Sequence, residues 1–158
     1  MVLWVAAGVV LPTWAATAQA QMALSAAINV SGSFRALSQR MAKAYCQQHL
    51  QVMPLAALDV LAKVRKQAQA GAADLAKGST AGAWPADLSR QLEEVQKQYT
   101  VLNTLTATAP SKASAAAVAE QADRMMTAAQ TATESLEKLA RAPSAKLVGV
   151  AGRQRMLS

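Results

Sequence analysis

Cysteine, histidine and aromatic side chains are scarce in this chain. Its 158 residues include one cysteine (Cys46) and one histidine (His49), and only 4% are aromatic. A single cysteine excludes an internal disulfide, and no CxxCH motif for haem attachment occurs. Cys46 and His49 are three apart and share a helical face, but two ligands make a poor metal site, so no metal and no cofactor is expected. Runs that alternate apolar and polar residues through β-branched side chains are missing too, so no strand is expected. Catalytic sets are equally thin. The one histidine lies in an ordinary helical run, the nine acids are scattered, and adjacent Glu93 and Glu94 point to different helical faces. Without a Ser/His/Asp set or a Gly-rich phosphate loop, the chain does not read as an enzyme.

Charge is missing locally as well. Residues 1–34 hold no Asp, Glu, Lys or Arg, and no acid precedes Asp59, although Arg35, Arg40 and Lys43 do. After Glu137 come five bases (Lys138, Arg141, Lys146, Arg153 and Arg155) and no acid. Between these stretches charges nearly cancel, so the net +7 resides near the start and at the end. The bases are single and spaced rather than striped with aromatics. That favours a small anion over nucleic acid as partner.

What the chain does have is apolar content, 53%, much of it alanine, the strongest helix former. Residues 1–20 form an apolar stretch ending in Ala18-Gln19-Ala20, an A-x-A pattern that reads as a cleaved signal peptide. The alternative is an uncleaved membrane anchor, yet the run before Pro12 is too short to span a bilayer. Either reading places the remainder outside the cytoplasm, in the periplasm. Breaks at Met53-Pro54, Gly78–Trp84 and Pro110-Ser111 separate four helices, at about 22–52, 55–77, 85–107 and 112–141. Ser111 is placed to cap the fourth. Pro143-Ser144 is expected to open a fifth helix, truncated at Ser158. The fold class is therefore all-α: an antiparallel four-helix bundle over residues 22–142, with residues 143–158 beginning a second repeat.

Apolar residues at three- and four-residue spacing mark the expected core: Leu88, Leu92, Val95, Tyr99 and Leu102 in the third helix, and Val118, Ala122, Met125, Met126, Ala129, Thr133, Leu136 and Leu139 in the fourth. The first helix carries a core stripe of Ala23, Ala27, Val30, Phe34, Leu37, Met41, Tyr45 and Val52. A second, mixed face holds Ile28, Gly32, Arg35, Gln39 and Cys46. Gly32 is costly there, about 1 kcal/mol against alanine. It opens a groove one turn before Arg35, where a backbone or a small ligand can approach. The feature recurs. Residues 27–38 (AINVSGSFRALS) and 147–158 (LVGVAGRQRMLS) share Val30/Val150, Gly32/Gly152, Arg35/Arg155, Leu37/Leu157 and Ser38/Ser158.

The segment AINVSGSFRALSQRMAKAY, with GRQRMLS at the end, resembles the N-terminal sensor domain of type IV pilus methyl-accepting chemotaxis transducers (PilJ-type). It is similar to the periplasmic domain of nitrate/nitrite sensor kinases (NarX-type), whose P-box has the same Gly-Ser-x-Arg run. The resemblance implies a signal-transduction sensor domain that dimerises through its first helix. It further implies that P-box arginines of two subunits clasp one nitrate- or nitrite-like anion, with output through a membrane-bound signalling partner. By position the ligand-binding residues are then Arg35 and Gly32, with Ser31 and Ser33 nearby, and Arg155 and Gly152 in the second copy. Arg153 stands there in place of Ser33, and Ala36-Leu37 departs from the usual Met-Leu. The competing reading is a structural helical interaction module, in which the Gly32 face packs another helix and no small ligand binds.

Overall fold

The computed structural model describes residues 13–80 and 84–156, with side chains over 24–77 and 84–141. Four helices, α1 (Thr13–His49), α2 (Pro54–Thr80), α3 (Ala86–Leu105) and α4 (Lys112–Met156), account for the described chain, and no strand occurs among these residues. Of the expected signal segment, residues 1–12 lie outside the described residues, and residues 13–20 are helical and continuous with α1.

Side-chain contacts fix the topology. Along α1 from Arg35 to Gln39, the hydrogen-bonded partner on α4 falls back from Gln130 to Asp123, so the two helices are antiparallel. Arg65 on α2 reaches Asn103 on α3, and Ala72 meets Gln96, again antiparallel. Gln121 of α4 bonds Gln98 of α3 at 2.6 Å. The helices therefore run up, down, up and down around one core. α1 packs most heavily on α4 and α2, and α3 packs on α4. This is bundle packing, in which each helix buries one apolar stripe.

All five stripe residues of α3 are buried, and Phe34, Met41, Val64, Val118, Met125 and Leu136 are fully enclosed. Phe34 and Tyr99 tilt against each other at the centre, their ring centroids 6.0 Å apart. Two stripe members depart from the sequence pattern. Val52 is 48% exposed because α1 has already ended at His49, and Met126 is 36% exposed at the rim of the α4 stripe. Ala23 lies outside the residues whose side chains are described.

Two expected boundaries are corrected. The fifth helix does not exist as a separate element: α4 runs unbroken through Pro143 to Met156. An internal proline deletes one backbone hydrogen bond, and the helix formers on both sides, Leu139–Ala142 and Ala145–Leu147, carry the helix past it. Likewise Gly78 does not end α2, which continues to Thr80. A glycine raises the cost of helix without forbidding it.

The turns follow local hydrogen bonding. Val52 N–H reaches the Gln47 carbonyl and Gln51 N–H the Gln48 carbonyl, a Schellman closure of α1. Gln51 sits at the left-handed position of that motif (φ 56°), and Met53 follows with φ 47°. Pro54 then opens α2, where a missing N–H is harmless. Before α4, Ser111 Oγ accepts from Ser114 N–H at 3.1 Å while Ser111 N–H donates to Ser114 Oγ at 2.8 Å, the reciprocal cap the sequence foreshadows. The buried Tyr45 hydroxyl comes within 2.9 Å of Ser114 Oγ and 3.1 Å of the Ala109 carbonyl, strapping α1 to the α3–α4 connection.

A left-handed conformation costs a residue with Cβ about 1–2 kcal/mol, partly offset in glycine by its freer unfolded chain. Gln51→Gly is therefore expected to stabilise the domain by about 0.5–1 kcal/mol, read as a raised midpoint in thermal or urea unfolding. An unchanged or lowered midpoint contradicts the strain assigned to Gln51.

Candidate functional site

The segment Asn29–Arg40 lies wholly within α1, and the 100° helical step distributes its polar residues over three directions. Ser31 points inward. It is fully buried, accepts a hydrogen bond from Thr133 Oγ1 at 3.0 Å and lies 3.4 Å from the Ala129 carbonyl. Ser33 points outward, and its hydroxyl returns to the Val30 carbonyl at 2.7 Å. Gly32 and Arg35 occupy the rim between these directions, beside α4. The structure thus keeps Gly32 and Arg35 together, puts Ser33 on the open side and takes Ser31 into the seam.

The groove expected beside Gly32 is occupied by Arg35 itself. Arg35 Nε donates to the Gly32 carbonyl at 3.2 Å. Its Nη2 stands 3.3 Å from where a Cβ on residue 32 would be, and Thr133 Cγ2 would be 3.8 Å away. Nη1 crosses to α4 and donates to Gln130 Oε1 at 2.6 Å. Gln130 in turn donates to Glu134 at 2.6 Å, and one turn along α1 Gln39 donates to Asp123 at 2.9 Å. Gln130 is the member that sequence reading missed. It lies just off the apolar stripe of α4, and only the antiparallel register brings it opposite Arg35.

Arg35 differs in its partner from the cations that form ion pairs. The ion pairs among the described residues, such as Lys63–Asp59 and Arg124–Glu120, all join residues three or four apart on one helix. Such exposed pairs contribute little. Arg35 forms none of them. It is exposed, it reaches across helices, and its partner is a neutral amide. Arg65 makes a comparable cross-helix bond to Asn103, at 2.8 Å. Beside it, burial pushes the Tyr99 hydroxyl above the ordinary tyrosine range and the Arg65 charge pulls it partly back. An amide partner leaves the guanidinium charge uncompensated, whereas a carboxylate would set an opposite charge beside it.

Cys46 and His49 are both half-buried near the end of α1, and among the described residues no three His, Cys, Asp or Glu side chains gather in a metal-binding group. Among the same residues, no helix is long and apolar enough to cross a membrane. Gly152 and Arg155 fall in the last turns of α4, outside the residues whose side chains are described.

An all-α up-down bundle with a Gly-Ser-x-Arg run on its first helix is the arrangement that the resemblance implied. The family model of the type IV pili methyl-accepting chemotaxis transducer N-terminus (PilJ) matches residues 16–141. The chain belongs to the PilJ family. No curated protein and no solved structure matches it. PilJ membership makes this bundle a sensor domain of the chemotaxis-transducer type, a signalling module rather than a catalytic one. The match ends at Arg141, inside α4, so the family unit covers the whole described core.

The two internal glycines with recorded neighbours are separable by experiment. At Gly32 an added methyl meets only the mobile end of Arg35, so Gly32→Ala is expected to raise stability by up to about 1 kcal/mol while displacing the guanidinium. At Gly71 a side chain meets Val30 Cγ1 at 3.2 Å and the fully buried Phe34 at 3.4 Å. Gly71→Leu is expected to cost about 2 kcal/mol or more by overpacking. Urea unfolding of the two variants checks both signs.

Proposed function

We propose that this PilJ domain is a periplasmic sensor that dimerises through α1 and holds a small oxyanion, nitrate or nitrite in kind, between the Arg35 guanidiniums of two copies. The observation that carries the reading is Arg35 itself. It is exposed, laid over a glycine, bonded across helices to a neutral amide, and without an ion pair among the described residues. Gly32 lets the guanidinium lie against the helix, and Ser33 stands on the side where a second copy would approach. The solvent side of α1 supports that approach. Ala26, Asn29, Ser33 and Ala36 are exposed at helical spacing, and all are small enough for another helix to come close.

Two guanidiniums 6–8 Å apart repel by roughly 2–3 kcal/mol at an effective dielectric near 20. A planar oxyanion accepts from both forks, turning that repulsion into attraction. Nη1 is already committed to Gln130, so an anion either displaces the amide or uses Nη2. Either choice alters how α1 is tethered to α4, and small shifts between packed helices are a means of signalling to a partner. Arg155 and Gly152 belong to the same reading as a second copy of the pair, now placed within the continuous α4. Residues 1–20 enter it as the export signal. Cleavage after Ala20 leaves Leu24, the first buried residue among those whose side chains are described, in place.

Titration calorimetry with nitrate and nitrite, paired with sedimentation velocity, tests the reading. Binding heat and an anion-tightened dimer are expected for the parent and for Arg65→Ala, and the heat is expected to vanish in Arg35→Ala. Equal heats in parent and Arg35→Ala, or association indifferent to anion, would instead establish α1 as a packing surface and the domain as an interaction module.

A further inference from the structure

A second, chemically different hollow lies at the opposite end of the bundle from the Tyr45 strap. It encloses about 250 Å³ between α1, α2 and the start of α3. Ala26, Val30, Leu75 and Leu92 make its walls apolar, and Trp84 and Asp74 are its polar members. Trp84 Nε1 is buried and has no hydrogen-bond partner among the described residues. Native structures rarely leave a buried N–H unpaired, because desolvation without a partner is costly. The Gln91 side-chain oxygen is also unpartnered among the described residues but does not line the hollow.

We propose that this hollow is a binding site for a small uncharged apolar molecule carrying one hydrogen-bond acceptor, a ketone, ester or lactone carbonyl, which Trp84 Nε1 receives. The walls supply the apolar body and the indole supplies the single polar contact, the usual division of labour in a small-molecule site. A cavity of about 150 Å³ holds benzene, so this one takes a ligand of about ten non-hydrogen atoms. Apolar walls offer an anion no compensating charge, which separates this ligand class from the oxyanion proposed at Arg35. None of the lining residues is bonded to Arg35, although Ala26 also lies on the exposed face of α1 offered to a second copy, so the nitrate arm and the Trp84 resonance keep the two sites apart.

The test follows the indole N–H of Trp84 by ¹H–¹⁵N NMR of the full chain, its resonance assigned by its loss in Trp84→Phe. Cyclohexanone is expected to shift this resonance saturably. Cyclohexane, the same ring without an acceptor, is expected to bind at least about tenfold more weakly. Ala26→Leu fills the hollow from an exposed position and is expected to weaken cyclohexanone about tenfold with the melting temperature unchanged. Nitrate is expected to leave the resonance in place. Should Ala26→Leu lower the melting temperature, the methyl resonances of Val30 and Leu75 carry the test. They are expected to respond to cyclohexanone at least about tenfold more weakly in Trp84→Phe than in the parent. A Trp84 resonance unmoved by cyclohexanone, an equal shift in stably folded Ala26→Leu, or a water that stays on the indole throughout the titration overturns the proposal.

Discussion

The close approach of α1 to α4 is the constraint on which the rest depends. It rests on small buried residues: Ser31, Ser38 and Ala42 on one side, and Ala122, Ala129, Ala132 and Thr133 on the other. Small side chains permit near backbones, and near backbones leave no room for water, so each hydroxyl in the seam must find its partner inside. Ser31 and Thr133 solve this with each other and with the Ala129 carbonyl, and Ser38 turns back to the Arg35 carbonyl. The bonds fix the register. With Ser31 opposite Thr133, Arg35 arrives at Gln130, Gln39 at Asp123, and Tyr45 at the loop before α4.

That register gives the two ends of the bundle different characters. At one end the α1–α2 turn and the α3–α4 connection are tied down by the Schellman closure, the Ser111–Ser114 cap and the Tyr45 hydroxyl. At the other end the hollow lined by Trp84 lies between α1, α2 and the start of α3.

Much of this was legible in the sequence, for reasons that separate what was read from what was missed. The stripe of α3 was read correctly residue by residue because that helix is amphipathic in the ordinary way, with a single apolar arc. Ser111 was readable because capping is local. The second face of α1 stood out because glycine and arginine three apart break an alanine-rich pattern. Pro143 and Gly78 misled because a breaker signals only a local cost, and the surrounding residues decide whether the helix pays it. Gln130 and the orphaned Trp84 donor were not readable. Each owes its role to a neighbour from another helix, and single-sequence periodicity carries no inter-helix register.

Two glycines of the bundle divide by what packing asks of them. At Gly71 packing favours the residue, since Val30 and the enclosed Phe34 crowd the space a side chain would need. Gly32 is different. The nearest atom to an added methyl is the tip of Arg35, and Thr133 beyond it is at ordinary contact distance, so packing alone would accept alanine. Alanine is the better helix former and is abundant in this chain, so bundle stability gives no reason for glycine here. What glycine does provide is a bare backbone against which the Arg35 guanidinium lies, with Nε on the Gly32 carbonyl and Nη1 on Gln130. The glycine is therefore best understood through the posture of the arginine. An exposed guanidinium held at the rim of α1 by neutral partners is a feature that packing does not explain.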